Sequence, residues 1–170
     1  MINNFRSAEE ALPFVPVIII GAGRSGTNAL RDAIVKIPGF GTWPCDEIDA
    51  IWSYGNETQI DDHFDVSLVR PKIATYIRKA FTRRWNSAGR PSYVVEKTCA
   101  NSLRVRFVDS VLPEAKFVFI VRNGADVVAS ARKRWRGELE MPGLPYLLAK
   151  ARFVPLVSLP RRVVSWFARR

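Results

Sequence analysis

The sequence predicts an α/β fold, a three-layer sandwich around a mostly parallel central sheet. Three observations carry this reading. Short β-branched runs alternate with segments of helical periodicity, a glycine-rich turn joins the first run to the first helix, and a strand–turn–helix order returns late in the pattern. At 170 residues, 48% hydrophobic and 25% charged, the chain has the profile of one globular domain able to bury a core.

Val15–Ile20 is short and β-branched, as a buried strand should be, and runs directly into Gly21-Ala22-Gly23-Arg24-Ser25-Gly26-Thr27. Leu30, Ala33, Ile34 and Ile37 then recur at helical spacing, and Pro38-Gly39 stops the pattern. Gly39–Tyr54 reads as a loop rich in aromatics and acids. A second helix is predicted over about Pro71–Trp85, with Ile73, Ile77, Ala80 and Phe81 inward and Arg78, Lys79, Arg83 and Arg84 on a solvated face. Tyr93–Val95 reads as a short buried strand. Ser102 is expected to cap a helix carrying Leu103, Phe107 and Val111, which Pro113 ends. Phe117–Val121 is the clearest strand. Asn123-Gly124 and a helix over about Ala125–Trp135 follow, with Asp126 in its first turn and Arg132–Arg136 at its end, as the helix dipole prefers. In such a fold the ligand crevice lies at the carboxyl ends of the strands. Beyond Glu140, four prolines divide an apolar, basic tail (141–170) into short helical pieces, so the single domain has its core at about 15–136.

The net charge of +10 is uneven: Arg122–Arg170 holds 11 basic and 3 acidic residues, Met1–Val121 15 and 13. An anionic partner for the later half is implied, and nucleic acid, an anionic membrane surface or a polyphosphorylated small molecule would all produce this bias. The longest apolar run falls far short of the roughly 20 residues of a spanning helix. Met1–Leu12 contains Glu9 and Glu10 and lacks the basic start and cleavage site of a signal peptide. Cys45 and Cys99 fit a reducing compartment, and with the single His63 they give no metal-holding spacing. The expectation is a cytoplasmic protein without a metal.

Glycines and a helix N-terminus after a strand make Gly21–Thr27 an anion cradle. As a Walker A loop it has Gly21 and Gly26 at the right separation, but Thr27 stands where the lysine belongs. As a dinucleotide fingerprint, Gly21, Gly23 and Gly26 match G-x-G-x-x-G, with Asp46 or Glu47 about 20 residues further on. The segment Gly39–Asp46, however, holds two glycines and a proline where a second apolar strand should end.

A third reading explains more residues. Arg24-Ser25-Gly26-Thr27-Asn28 resembles the 5′-phosphosulfate loop of sulfotransferases, with Arg24 in place of the usual lysine. Arg122, at the end of a strand, and Ser130, eight positions later in the next helix, resemble the same family's 3′-phosphate site. The resemblance covers about Val15–Trp135 and implies a P-loop-like nucleotide-binding core. The donor it implies is 3′-phosphoadenosine 5′-phosphosulfate, held by Gly23, Arg24, Ser25, Gly26, Thr27, Asn28, Arg122 and Ser130. An arginine fork suits a terminal phosphate, and a serine hydroxyl can complete its coordination. The plain alternative for Arg122 is a salt bridge with Asp126, and for Ser130 a small residue in helix packing.

Sulfuryl transfer spreads charge over peripheral oxygens, so positioning and cations should supply most of the catalysis. The resemblance makes Arg24 the group that stabilises the leaving phosphate. Lys97, in Val94-Val95-Glu96-Lys97-Thr98, is similar to the Glu-Lys-Thr or Glu-Lys-Ser element of the carbohydrate-modifying branch and would contact the sulfuryl group or an anionic acceptor. Cys99 occupies the place where the cytosolic small-molecule branch carries a histidine. The heparan-type branch takes its base from a glutamate shortly after the phosphosulfate-loop helix, which selects Glu47, with Asp46 in reserve and Glu96 and His63 behind. The expected acceptor is a hydroxyl or amine of a carbohydrate, lipid or other small molecule. The family's further basic, glycine-containing C-terminal segment is not found before Arg170, so the expectation is a domain lacking that part. Two rival readings stand beside this one: a Rossmann-type dinucleotide-binding protein, and a basic nucleic-acid-binding module without activity. The basic tail would also suit peripheral membrane contact.

Overall fold

The computed structural model describes residues 11–59 and 61–136, so the tail and the first residues lie outside the described part. Among the described residues four strands form one sheet: β1 (Val15–Ile20), β2 (Phe40–Thr42), β3 (Tyr93–Lys97) and β4 (Lys116–Phe119). Their order is β2-β3-β1-β4 and every pairing is parallel. Five helices connect and follow them: α1 (Thr27–Ile34), α2 (Asp49–Trp52), α3 (Pro71–Ser87), α4 (Val105–Val111) and α5 (Gly124–Trp135), with 3-10 turns at Val66–Leu68 and Cys99–Leu103.

Alternation along the strands divides the core between the two faces. Ile18, Ile20 and Val94 join Trp52, Ile73, Ile77, Phe81, Phe107 and Val108 from α2, α3 and α4. Val17, Ile19 and Val95 face the other way, with Leu30 and Ile34 of α1 packed on them. β1 is apolar on both faces because it is an inner strand, covered on each side. The strand order also excludes the Rossmann reading: there the first two strands of the chain are neighbours, whereas here β3 lies between β2 and β1.

Several local expectations need correction. Phe40–Thr42 is a strand inside the predicted loop, short enough that only pairing with β3 defines it. Helix α1 stops at Ile34, leaving Ile37 beyond it and 51% exposed. The last strand begins at Lys116 and ends at Phe119, leaving Val121 outside it and exposed. Ser102 caps nothing: it sits in the 3-10 turn, its Oγ buried without a hydrogen-bond partner among the described residues, and α4 starts after Arg104. Arg78 is not on a solvated face but buried, its guanidinium paired with Glu114 at 2.7 and 3.0 Å and donating to the Val111 carbonyl. Arg84 likewise donates to the carbonyl of Thr42 at 2.7 Å, pinning α3 to the edge strand, while Lys79 and Arg83 are exposed as expected.

Candidate active site

The glycine-rich turn lies at the carboxyl end of β1, between β3 and β4. Gly21 is required by packing, since a Cβ there would stand 2.5 Å from Cγ2 of Ile120. Gly26 takes φ 98°, a left-handed conformation that glycine adopts without penalty, and α1 starts immediately after it with no side-chain cap. Arg24 also has positive φ, 70°, an uncommon state for a side chain of its size. At Gly23 nothing lies within 4 Å of where a Cβ would be, so the turn presents an open backbone there. Ser25 is buried and donates its hydroxyl to the carbonyl of Ala22, which ties the turn to itself. Thr27 is buried against Cys99, Oγ1 to Sγ 3.8 Å, and Asn28 is exposed.

The second element meets the first directly. Arg122 Nη1 donates to the carbonyl of Arg24 at 3.2 Å, and Arg24 Nε donates to Ser130 Oγ at 3.0 Å. Two guanidinium groups and a hydroxyl from β1's turn, β4's end and α5 thus share one exposed spot. Arg122 is also 4.0 Å from Asp126, one helical turn on, so the structural alternative for it is present as a long, exposed contact of little energy. Asn123 caps α5 by accepting from the Ala125 N–H.

On the other side of the turn, β3 ends in Glu96-Lys97, and alternation sends these two side chains to opposite faces. Lys97 is held by Glu47 at 3.1 Å and Asp46 at 3.3 Å, with its side chain 2% exposed and the carboxylates 28% and 26%. Its ammonium is therefore enclosed by acids rather than held out to solvent as a strand-end lysine would be. Asp46 also accepts from Arg31 of α1 at 2.8 Å. Burial is the largest single influence and alone would raise both acids, but the combined pull of Lys97, Asn28 and Arg31 at Asp46 and of Lys97 and Cys99 at Glu47 overcomes it, so both lie below the ordinary carboxylate range. The Cys99 N–H donates to Glu47 at 3.3 Å. Burial pushes the Cys99 thiol up, which keeps it protonated and a poor nucleophile.

Thr27, Cys99, Glu47 and Lys97 therefore form a continuous contact chain from the glycine-rich turn to the Glu47–Lys97 pair. Sequence reasoning named Glu47, Asp46 and Lys97 as candidates, and the structure brings the three together, but the Asp46–Arg31 pair was missed. The only local hint was an arginine on α1 and an acid in the following loop. His63 lies apart in the connection before α3, where its amide donates to Asp61.

Glu96, on the opposite face from Lys97, is fully buried and accepts from Thr98 Oγ1 and from Asn101 Nδ2. The Trp52 indole N–H faces it too, outside good hydrogen-bond geometry. Burial raises its carboxyl from 4.5 to about 7, against the pull of Thr98, Trp52, Arg104 and Lys97. The folded state thus holds this proton where the unfolded state has lost it. Glu96's contribution is fully present below the ordinary value and is lost as pH rises through about 7. Replacing Glu96 by Gln should flatten that slope: against wild type, the variant should gain roughly 2–3 kcal/mol between about pH 5 and about pH 8. Urea denaturation at both pH values measures it, and parallel wild-type and variant profiles would show that Glu96 does not titrate in this window.

A parallel sheet in this order, with a glycine-rich turn after β1 and an arginine three residues past the neighbouring β4, defines a P-loop-like α/β domain. Compared with known families, residues 16–145 match the one described as "Sulfotransferase family". The chain belongs to that family and is a transferase by membership. None of the curated proteins matches the chain. Among the described residues no helix is long and apolar enough to cross a membrane.

Proposed function

We propose that this protein transfers the sulfuryl group of 3′-phosphoadenosine 5′-phosphosulfate to a hydroxyl or amine acceptor. The observation that carries the proposal is the pair of contacts Arg122–Arg24 and Arg24–Ser130, which brings the glycine turn and the β4–α5 junction together at one exposed spot. A nucleotide with phosphate on both sides of its ribose needs two such elements side by side. The open backbone at Gly23 and the first turn of α1 would hold the 5′ side, and Arg122 with Ser130 the 3′-phosphate.

Arg24 lies between the two and can serve the leaving phosphate once its side chain releases Ser130. Glu47 is ionised at neutral pH, as a base must be, and Lys97, paired with it at 3.1 Å, would meet the sulfuryl oxygens on turning out of its two acids. The donor supplies an activated sulfuryl group; the chain's part is to align it, neutralise its oxygens and take the acceptor proton at Glu47. A cytoplasmic setting suits the two cysteines, both in the thiol form.

Thermal shift with 3′,5′-ADP tests the reading. At one hundred times Kd the ligand should add about 2.7 kcal/mol, a rise of roughly 5–10 °C for a domain of this size. ATP, NAD and 5′-AMP should do much less. Equal responses would replace the donor by a generic nucleotide. The nucleic-acid reading draws on Trp135, 83% exposed beside Arg132, Lys133 and Arg136. Salt-sensitive oligonucleotide binding without any 3′,5′-ADP response would establish it instead.

A further inference from the structure

Behind the acid–base group lies a buried polar chain that the proposed reaction does not use. Thr98 is 0% exposed, and its hydroxyl accepts from the Ile48 N–H at 3.1 Å while donating to Glu96. The other Glu96 oxygen accepts from Asn101 Nδ2 at 2.9 Å, and Asn101 Oδ1 accepts from Arg104 Nε at 2.9 Å. Arg104 then reaches Asp49 at 2.7 Å. The chain starts at Ile48 and returns at Asp49, the two residues that follow Glu47.

The peptide plane between Glu47 and Ile48 is gripped at both polar atoms: Cys45 Sγ donates to the Glu47 carbonyl at 3.7 Å, and Thr98 Oγ1 takes the Ile48 N–H. Fixing that plane fixes ψ of Glu47 and hence the direction in which its side chain leaves the backbone. The thiol is the weaker of the two grips, so the hydroxyl decides. Ile48 is 1% exposed, and without Thr98 its N–H would be buried without this partner, which favours rotation of the plane toward another acceptor.

We infer that Thr98 is a positioning residue, whose buried hydroxyl orients the Glu47–Ile48 peptide so that the Glu47 carboxylate stays on Lys97 Nζ and the Cys99 N–H. The inference rests on the reading of Glu47 as the base that takes the acceptor proton. Its test does not need the acceptor. The titration of Glu47 can be followed by carbon-13 NMR of labelled glutamate carboxyls, assigned with Glu47→Gln.

In Thr98→Val, which keeps the shape and removes the hydroxyl, the Glu47 midpoint should rise by about one unit as Lys97 and Cys99 lose their hold. Thr98→Ser should restore the wild-type midpoint, and stabilisation by 3′,5′-ADP should be the same in both variants. A folded Thr98→Val protein with an unmoved Glu47 midpoint overturns the inference, because a merely structural role would lower stability without shifting that titration. Should Thr98→Val not fold, hydrogen exchange in the wild type decides. The Ile48 amide is expected to exchange as slowly as those of β3, and exchange as fast as exposed loop amides overturns the inference equally. Failure of the donor reading would show separately, as a wild-type protein indifferent to 3′,5′-ADP whose Glu47 midpoint still answers to Thr98.

Discussion

Replacing Lys97 by Met should destabilise the protein by about 3 kcal/mol and lower its melting temperature by roughly 6–12 °C. The ammonium is buried, and its removal leaves two carboxylates side by side, compensated in part by Arg31 and Asn28 at Asp46 and by the Cys99 N–H at Glu47. The figure sits at the low end for a broken buried pair because each acid keeps about a quarter of its side chain in contact with water. The effect has a pH signature. In the wild type both acids titrate below their ordinary values, so the stabilisation they contribute is present above the unfolded pKa and is lost as pH falls through the folded one. Without Lys97 that contribution is missing from the start. The stability gap between wild type and variant should be widest near neutrality and close on acidification. A gap that stays constant down to about pH 3 would show that Lys97 is held by packing rather than by its two acids.

Arg122→Ala should remove the preference for a 3′-phosphate, weakening 3′,5′-ADP on the order of 2–3 kcal/mol, a loss of roughly 30- to 150-fold, to the level of 5′-AMP. Arg122 is well suited to such a test because its own structural contacts are slight. Its approach to Asp126 is long and exposed, and its bond to the Arg24 carbonyl lies at the surface. Stability should therefore change little while discrimination between the two nucleotides disappears. Calorimetric titration with 3′,5′-ADP and 5′-AMP measures both affinities. Retained discrimination would place the 3′-phosphate elsewhere and dissolve the link between the β4–α5 junction and the glycine turn.

Where a segment's role depended on its own periodicity, the sequence was readable. Val15–Ile20 declares a strand covered on both faces, and Ile73, Ile77, Ala80 and Phe81 declare the inward stripe of α3. The turn was legible because glycine marks backbone states that other residues avoid, and Gly26 does take one. Charges were the weak point. Arg78 carries the same side chain as exposed Arg83, and Glu114, 36 residues away, with the Val111 carbonyl explains why one is buried and the other is not. Strand β2 was missed for a related reason: three residues around Gly41 have no pattern of their own and become a strand by lying beside β3, with Pro91 packed so close that a Cβ at Gly41 would meet its Cγ at 2.9 Å.

By itself, then, the amino-acid order determined the alternation of strands and helices, the glycine-rich turn and the family resemblance on which the donor reading depends. These features are encoded in neighbours along the chain, through backbone preference and side-chain period. Tertiary structure alone decided the strand order that separates this domain from a Rossmann fold. It also decided the meeting of Arg24 with Arg122 and Ser130, and the enclosure of Lys97 by acids about 50 residues distant. The physical reason is that electrostatic and hydrogen-bond partners are chosen by distance in space, and a parallel sheet brings the ends of remote strands to one edge, whatever their separation in sequence.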